Sequence, residues 1–434
     1  MARTTHRARG RSVAGVARLG MIGAALLAAA LVPGCGGGEP PSKVVLIGVD
    51  GMDWKVAGPL MDAGRMPNLA RIVKRGVRAD LRALAPDDKV RSSWICIAAG
   101  RVVRAHESLP PMAPDGSRNP GTRTWGARPF WDVLGDEGRT AGVLNWPYTW
   151  PASELEGWMI TNGVVVAPED GWDPVPDIAW PPEIAGELGP LRKPASTTTD
   201  DEIASFMNGD LWRSEEHPDL YGRAMSFKGN WAEDQTVLAV ATHMLGTRGQ
   251  PDLLAVCFGG LLLNLHPFWG PMDPGSAGFR DSQEIVSMYK DLVPRYYERV
   301  DGIIGEILAR SDDNTTVIVC SSVGFRGPQR TADGAILFGT HMHGEVGLLA
   351  ASGPGIARRA RVRDASVLDL APTILALLGA PVPRDMDGFV LTDMLDAAFL
   401  RSHPVVYAAP RAGSAPSPAE RERPESAEAP REGT

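Results

Sequence analysis

Three uninterrupted apolar runs constrain this chain more than any other feature: Lys43 to Val49, Leu253 to Phe258, and Thr316 to Cys320. A strand with one wet face alternates polar and apolar residues, whereas a run with no polar position in it is a strand buried on both faces, the habit of parallel sheets covered by helices. The first run ends in Asp50-Gly51, which puts an acid at the carboxyl end of a buried strand, the edge where open α/β sheets carry their chemistry. Helical patterns fall between and after the runs, over Trp54 to Asp62, Pro67 to Lys74 (opening with proline), Glu233 to Leu245, Gln283 to Leu308 and Ser366 to Leu378. Strands alternating with helices predict an α/β fold with a mostly parallel central sheet and helices on both faces.

The 434 residues are 44% hydrophobic, enough for a large core and too apolar for general disorder. With a formal charge of −8, no basic surface dominates, which argues against nucleic acid as a partner. Residues 1–35 read as an export segment rather than as structure. Arg3, Arg7, Arg9, Arg11 and Arg18 form its basic start, and Leu19 to Val32 is an uncharged stretch of about 20 Å in helical form, too short to span a bilayer. Leu31-Val32-Pro33-Gly34-Cys35 resembles a bacterial lipobox, with Cys35 the lipidated residue; cleavage without lipidation is the alternative. Residues 36–42 then form a flexible tether. Removal of the segment takes five arginines and shifts the charge from −8 to −13. The expectation is an exported protein of the bacterial cell envelope, held to a membrane by lipid. Of the remaining thiols, Cys96, Cys257 and Cys320 all lie in apolar runs and read as small buried hydrophobes, with one disulfide plus a free thiol as the other arrangement.

The domain proper is expected over 43–400. Within it, 107–124 is rich in Pro, Gly, Ser and Arg and reads as a long loop, and 168–201 as a proline-rich cap insertion of the kind that shapes substrate access. From about Ala408 the composition is Pro, Ala, Glu, Arg and Ser, so a disordered tail is expected within 401–434.

Several segments, in order, resemble the type I phosphodiesterase/nucleotide pyrophosphatase branch of the alkaline phosphatase superfamily. They are Ile47-Gly48-Val49-Asp50-Gly51; Met66-Pro67-Asn68-Leu69; Trp94 to Gly100 with His106; Pro129 to Leu134 with Asn145-Trp146-Pro147; Phe258-Gly259-Gly260 through His266-Pro267-Phe268-Trp269; Ser352-Gly353-Pro354-Gly355; and Asp369 to Leu375 with Asp387-Gly388. No piece is specific alone; seven in this order over 43–395 are. The resemblance implies an alkaline-phosphatase-like fold, and a Thr or Ser nucleophile activated between two metal ions, usually zinc, which lower its pKa and neutralise charge on the phosphoryl oxygens.

Carried onto this chain, that site is depleted. Asp50 matches the first ligand aspartate and His266 a ligand histidine, while the last histidine falls on His343, with His341 the alternative. The nucleophile position is Val90, the Asp partner of His266 is Leu262, and the Asp-His pair after the third buried strand is Ser322-Val323. Three of seven positions survive. Valine offers neither an attacking oxygen nor a metal lone pair, and zinc commonly needs three protein ligands even in an open site. Ser92 and Ser93, with Asp87 and Asp88 before them, are the rescue candidates for a shifted nucleophile, or they simply cap the helix that starts at Trp94. Asp50 either keeps a polar role or caps a strand end, and His266, His341 and His343 either hold one zinc or form a leftover polar pocket. No cofactor is expected otherwise. The function implied is a non-hydrolytic binding or assembly component of the envelope, with an unknown envelope protein or a phosphorylated or glycan ligand as partner; the alternative is a metal-dependent phosphodiesterase or phosphatase with a rearranged site. The Trp-rich stretch (Trp146, Trp150, Trp158, Trp172, Trp180) is the one feature favouring a sugar platform, and core or cap packing is its other reading.

Overall fold

The computed structural model describes residues 43–84, 93–103, 125–166, 176–276, 281–327, 329–330, 336–337 and 346–409, and the statements below concern these. In chain order the strands are β1 (Lys43–Val49), β2 (Val77–Leu81), β3 (Ala141–Leu144), β4 (Gly157–Ile160), β5 (Ala179–Trp180), β6 (Leu253–Phe258), β7 (Thr315–Cys320), β8 (Gln329–Arg330), β9 (Ile336–Leu337), β10 (Gly347–Ser352), β11 (Ala360–Arg361), β12 (Val382–Pro383) and β13 (Tyr407–Ala408). The helices are α1 (Trp54–Asp62), α2 (Pro67–Arg75), α3 (Ser93–Ala99), α4 (Phe130–Asp136), α5 (Gly163–Val166), α6 (Ala185–Leu188), α7 (Asp200–Ala204), α8 (Pro218–Arg248), α9 (Gly260–Met272), α10 (Gln283–Tyr289), α11 (Leu292–Leu308), α12 (Leu370–Leu377) and α13 (Ala397–Ser402).

Nine strands form one sheet in the order β11-β2-β10-β7-β1-β6-β3-β4-β5. β7, β1, β6, β3 and β4 run parallel to one another, while β10 pairs antiparallel with β2 and β7, and β5 antiparallel with β4. The three apolar runs are therefore neighbours at the centre, in register from Val44 beside Leu253 and Thr316 to Gly48 beside Cys257 and Cys320.

Their side chains divide with the two-residue period of a strand. Val45, Ile47 and Val49 pack with α1, α2, α8, α9, α10 and α11, and Val44 and Leu46 with α3, α4 and α12. Both faces are covered, which is why the runs are apolar except for Lys43 and Thr316 at their starts. Each Val, Leu or Ile buried this way contributes about 1.5–3 kcal/mol. Cys96, Cys257 and Cys320 form no disulfide and are buried in this packing. Trp146 and Trp158 are core residues, Trp150 and Trp180 are half-buried, and Trp172 lies outside the described residues.

Four elements differ from the sequence expectation. α8 begins at Pro218 rather than Glu233; its first half buries Leu220, Ala224, Phe227 and Trp231, a helical spacing masked by Gly222 and Gly229, which face open space. The pattern over 283–308 is two helices, parted at Lys290–Asp291. α9 carries Pro267 and Pro271 and was not legible as a helix. Its prolines sit far enough along that the first turn still forms, with the Leu263 N–H bonded to the Gly259 carbonyl. Regular structure also continues past residue 400: α13 ends at Ser402, and β13 pairs parallel with β12. The described part of 168–201 adds edge strand β5 to the main sheet, followed by short helical turns. No helix among the described residues is long and apolar enough to cross a membrane.

Candidate functional site

Because β7, β1, β6 and β3 are parallel, their carboxyl ends share one edge, and Asp50 lies at the middle of it. Its backbone N–H donates to the Phe258 carbonyl at 2.9 Å, holding the end of β1 to β6. Gly51 then turns the chain with φ +83°, and a Cβ there would stand 2.9 Å from Leu265 Cδ1 and 3.0 Å from Leu262 Cδ1. Only glycine fits, both for the left-handed backbone and for the approach of α9. Leu262 is thus packed against the turn that presents Asp50.

The segment after β7 closes on this turn through side chains. Ser322 Oγ donates to Asp50 Oδ1 at 2.9 Å. The Met52 N–H donates to Ser321 Oγ at 3.0 Å, and that hydroxyl donates to the Val323 carbonyl at 2.6 Å. The buried carboxylate of Asp53 caps α1 by accepting from the N–H groups of Lys55 (2.9 Å) and Val56 (3.2 Å), and its other oxygen accepts from Phe325 N–H at 3.4 Å. Gly324 makes the closure possible, since a Cβ would fall 2.3 Å from the Val346 carbonyl oxygen. Two loops at adjacent strand ends are therefore tied by hydroxyl and carboxylate hydrogen bonds.

Burial pushes the Asp50 carboxyl above its ordinary range; the Trp94 indole, the Ser322 hydroxyl and the Gly51 N–H offset this by favouring the charged form. Trp94 Nε1 lies close enough to Asp50 to act on its charge, yet makes no hydrogen bond of good geometry. The indole lies over Gly48, where a Cβ would meet the ring at 2.6 Å, and its backbone carbonyl accepts from Trp146 Nε1 at 3.1 Å. α3 is thereby fixed against the end of β1.

Of the residues expected at the site, Asp50, Ser322 and Leu262 come together. Val323 is turned into the protein and 2% exposed, as an apolar side chain in this loop must be. His266 is one helical turn beyond Leu262 on α9, exposed, with its ring edge-on to Phe325 at 5.1 Å. Ser93 is buried in the first turn of α3. Cys35, Asp87, Asp88, Val90, Ser92, His106, His341 and His343 lie outside the described residues. Ser321, Asp53 and Trp94 also belong to the site, beyond the residues expected there. Asp53 before Trp54 is a helix N-cap signature that the sequence offered; the position of Trp94 over Gly48 had no local signal.

Among the described residues, no three His, Cys, Asp or Glu side chains lie together where they could hold an ion. One Asp50 oxygen is engaged by a hydroxyl, and Leu262 and Val323 offer no lone pair. The described residues do not fit a metal site, and no chemical step is drawn through one.

The site thus sits on a nine-stranded, mostly parallel sheet with helices on both faces and an acid at the carboxyl end of a central strand. The family described as type I phosphodiesterase / nucleotide pyrophosphatase matches residues 44–363, and the chain belongs to that family. Solved structures similar to it include a putative sulfatase from Bacteroides thetaiotaomicron (14% identity, 81% of this chain and 74% of that one, TM-score 0.50). Others are human ectonucleotide pyrophosphatase / phosphodiesterase 5 (12%, 82% and 100%, TM-score 0.47) and a phosphonate monoester hydrolase from Silicibacter pomeroyi (18%, 82% and 76%, TM-score 0.43). These likenesses concern the fold alone. No curated protein matches the chain.

Proposed function

We propose that this chain is an exported, lipid-anchored member of the family that binds rather than hydrolyses, a component of the bacterial cell envelope. One observation carries the reading: the Ser322 hydroxyl donates to Asp50 Oδ1, so a hydrogen bond ties the β1 and β7 loops through residues that in the family hold metal. The apolar Leu262 beside Gly51 and the buried Val323 support it, since neither offers a lone pair to a metal ion. The partner is an envelope protein or a phosphorylated or glycan ligand, and the anchor is a lipid on Cys35.

A second reading rests on the same bond. A serine hydroxyl donating to a carboxylate is the geometry of a nucleophile beside a base, and it fits a phosphodiesterase with a rearranged site. A carboxylate is a poor match for the pKa of a serine hydroxyl, which favours the first reading.

Elemental analysis and turnover of a nitrophenyl phosphodiester with added zinc or manganese decide between them, on a chain beginning after the Gly36-Gly37-Gly38 tether. The expected result is no retained metal and no turnover. Metal-dependent turnover abolished by Asp50→Ala, or metal-free turnover abolished by Ser322→Ala, overturns the binding reading. Incorporation of a labelled fatty acid that is lost in Cys35→Ser is the expected result for the anchor.

A further inference from the structure

On one side the main sheet ends in an arginine-rich edge. Strand β11 sets Arg361 beside Arg78 of β2, with Arg363 two residues on, and Arg358 and Arg359 form the turn that leads into it. We propose that this edge is a docking surface for anionic phospholipid headgroups. The inference rests on the lipid anchor proposed above and adds which side of the domain meets the membrane.

Charge is the first argument. Arg358, Arg359, Arg361 and Arg363 are all exposed, and among the described residues none of the four makes an ion pair. The Arg78 guanidinium lies 4.1 Å from the centre of the Trp54 ring, an aromatic face rather than an acid. Residues 74–82 and 355–364 together hold eight Lys or Arg and two Asp, and one of those, Asp364, is taken by Arg82 at 3.0 Å. Asp62, Asp313, Asp393 and Asp396 on adjoining segments still leave an excess of two positive charges, in a chain whose formal total is −8. Charges farther than about 8 Å from a surface are largely screened at physiological salt, so this local strip, not the net charge, governs contact with an anionic bilayer. Edge strands also use charge to avoid pairing with another chain. That accounts for Arg361 on a two-residue strand, but not for Arg358 and Arg359 in the turn before it.

Topology places the strip where the chain leaves for its anchor. β10 is antiparallel to both β7 and β2, and β11 is parallel to β2, so β2 and β11 run in the direction of β1. The turn over 353–359 therefore lies at the edge where β1 begins, opposite the edge that carries Asp50. It touches the start of β7: a Cβ on Gly353 would stand 2.6 Å from the Thr315 carbonyl oxygen, and Thr315 is the register partner of Lys43. Four strand spacings separate β1 from β11, about 19 Å. Eight residues lead from Cys35 to Lys43, a span of at most about 29 Å. A lipid on Cys35 thus holds the arginine edge within reach of the bilayer, with Asp50 on the side turned away.

Cosedimentation at pH 7 tests the surface, with vesicles of equal parts phosphatidylglycerol and phosphatidylcholine and with vesicles of phosphatidylcholine alone. The chain used begins at Gly36; it keeps every described residue and omits the five arginines of residues 1–35, which would bind anionic lipid themselves. Being lipid-free, it reports on the surface whether or not Cys35 is acylated, so its failure is distinct from a failure of the fatty-acid labelling. The expected result is binding to the phosphatidylglycerol vesicles alone, lost as salt is raised. Arg361→Gln combined with Arg363→Gln is expected to weaken it about 30-fold, the contribution of two cations near such a surface. Arg358→Gln combined with Arg361→Gln decides the matter should that variant not fold. Lys228→Gln combined with Lys290→Gln removes the same charge from α8 and the α10–α11 junction, and is expected to leave binding unchanged. Binding to both vesicles alike, or equal weakening by the lysine and arginine variants, overturns the surface. So does binding to neither, which leaves the arginines as guards of an open edge, and so does capture by a soluble polyanion without vesicle binding.

Discussion

Ser322→Ala isolates the bond on which the functional reading rests. Asp50 is a carboxylate already raised in pKa by burial, and Ser322 is one of the groups holding its charge in place. A hydrogen bond to a charged group contributes about 1.5–3 kcal/mol, so the variant is expected to lose about that much at pH 7–8. With an unfolding entropy of about 2.1 cal/mol/K per residue over the roughly 310 described residues, Tm falls by about 2–5 °C. The pH dependence gives the sharper test. A carboxyl whose folded pKa lies above its unfolded value binds more protons in the native state, so its contribution to stability falls as pH rises from the unfolded pKa through the folded one. Removing the Ser322 donor raises the folded pKa further and deepens that fall. The difference between wild type and variant should therefore be small below about pH 4, where Asp50 is protonated in both states, and widen toward neutrality. Urea unfolding at a series of pH values reads both quantities, and Asp50→Asn should remove most of the pH-dependent part. A loss that is the same at pH 4 and pH 8, or under about 0.5 kcal/mol throughout, refutes the reasoning.

Three further outcomes follow from the same geometry. Leu262→Asp combined with Ser322→Asp puts two further carboxylates beside Asp50, and elemental analysis should then find more zinc retained than in the parent chain. Gly324→Ala forces a methyl to 2.3 Å from the Val346 carbonyl oxygen, and overpacking of this kind costs about 1–3 kcal/mol, measurable by denaturant unfolding. In a chain lacking residues 1–35, Cys96, Cys257 and Cys320 should resist a thiol reagent until the protein is unfolded; all three are buried, and burial raises the Cys257 and Cys320 thiols well above the usual range.

The central sheet was legible because burial on both faces leaves a mark that depends on no distant residue: past their first residues β1, β6 and β7 are almost wholly apolar. The helices were legible only where their period was clean. α8 hid half its length behind glycines that face open space, and α9 behind two prolines, since local signals describe the chain's preference and not the neighbour that overrides it. At the site, Asp50, Leu262, Ser322 and Val323 were assigned by resemblance, and their types alone argued that lone pairs for a metal were missing.

The sequence by itself therefore determined which strands are buried on both faces, that an acid ends the first of them, and which donor atoms the chain possesses. Only the tertiary structure decided what those atoms do. Asp50 and Ser322 are 272 residues apart, and their 2.9 Å hydrogen bond exists because β1 and β7 lie parallel and in register, bringing two carboxyl ends to one edge. The same holds for Arg361 beside Arg78, and for Trp94 above Gly48. A residue's chemistry is local and can be read along the chain, but a contact between loops depends on strand order and register, which no single segment contains.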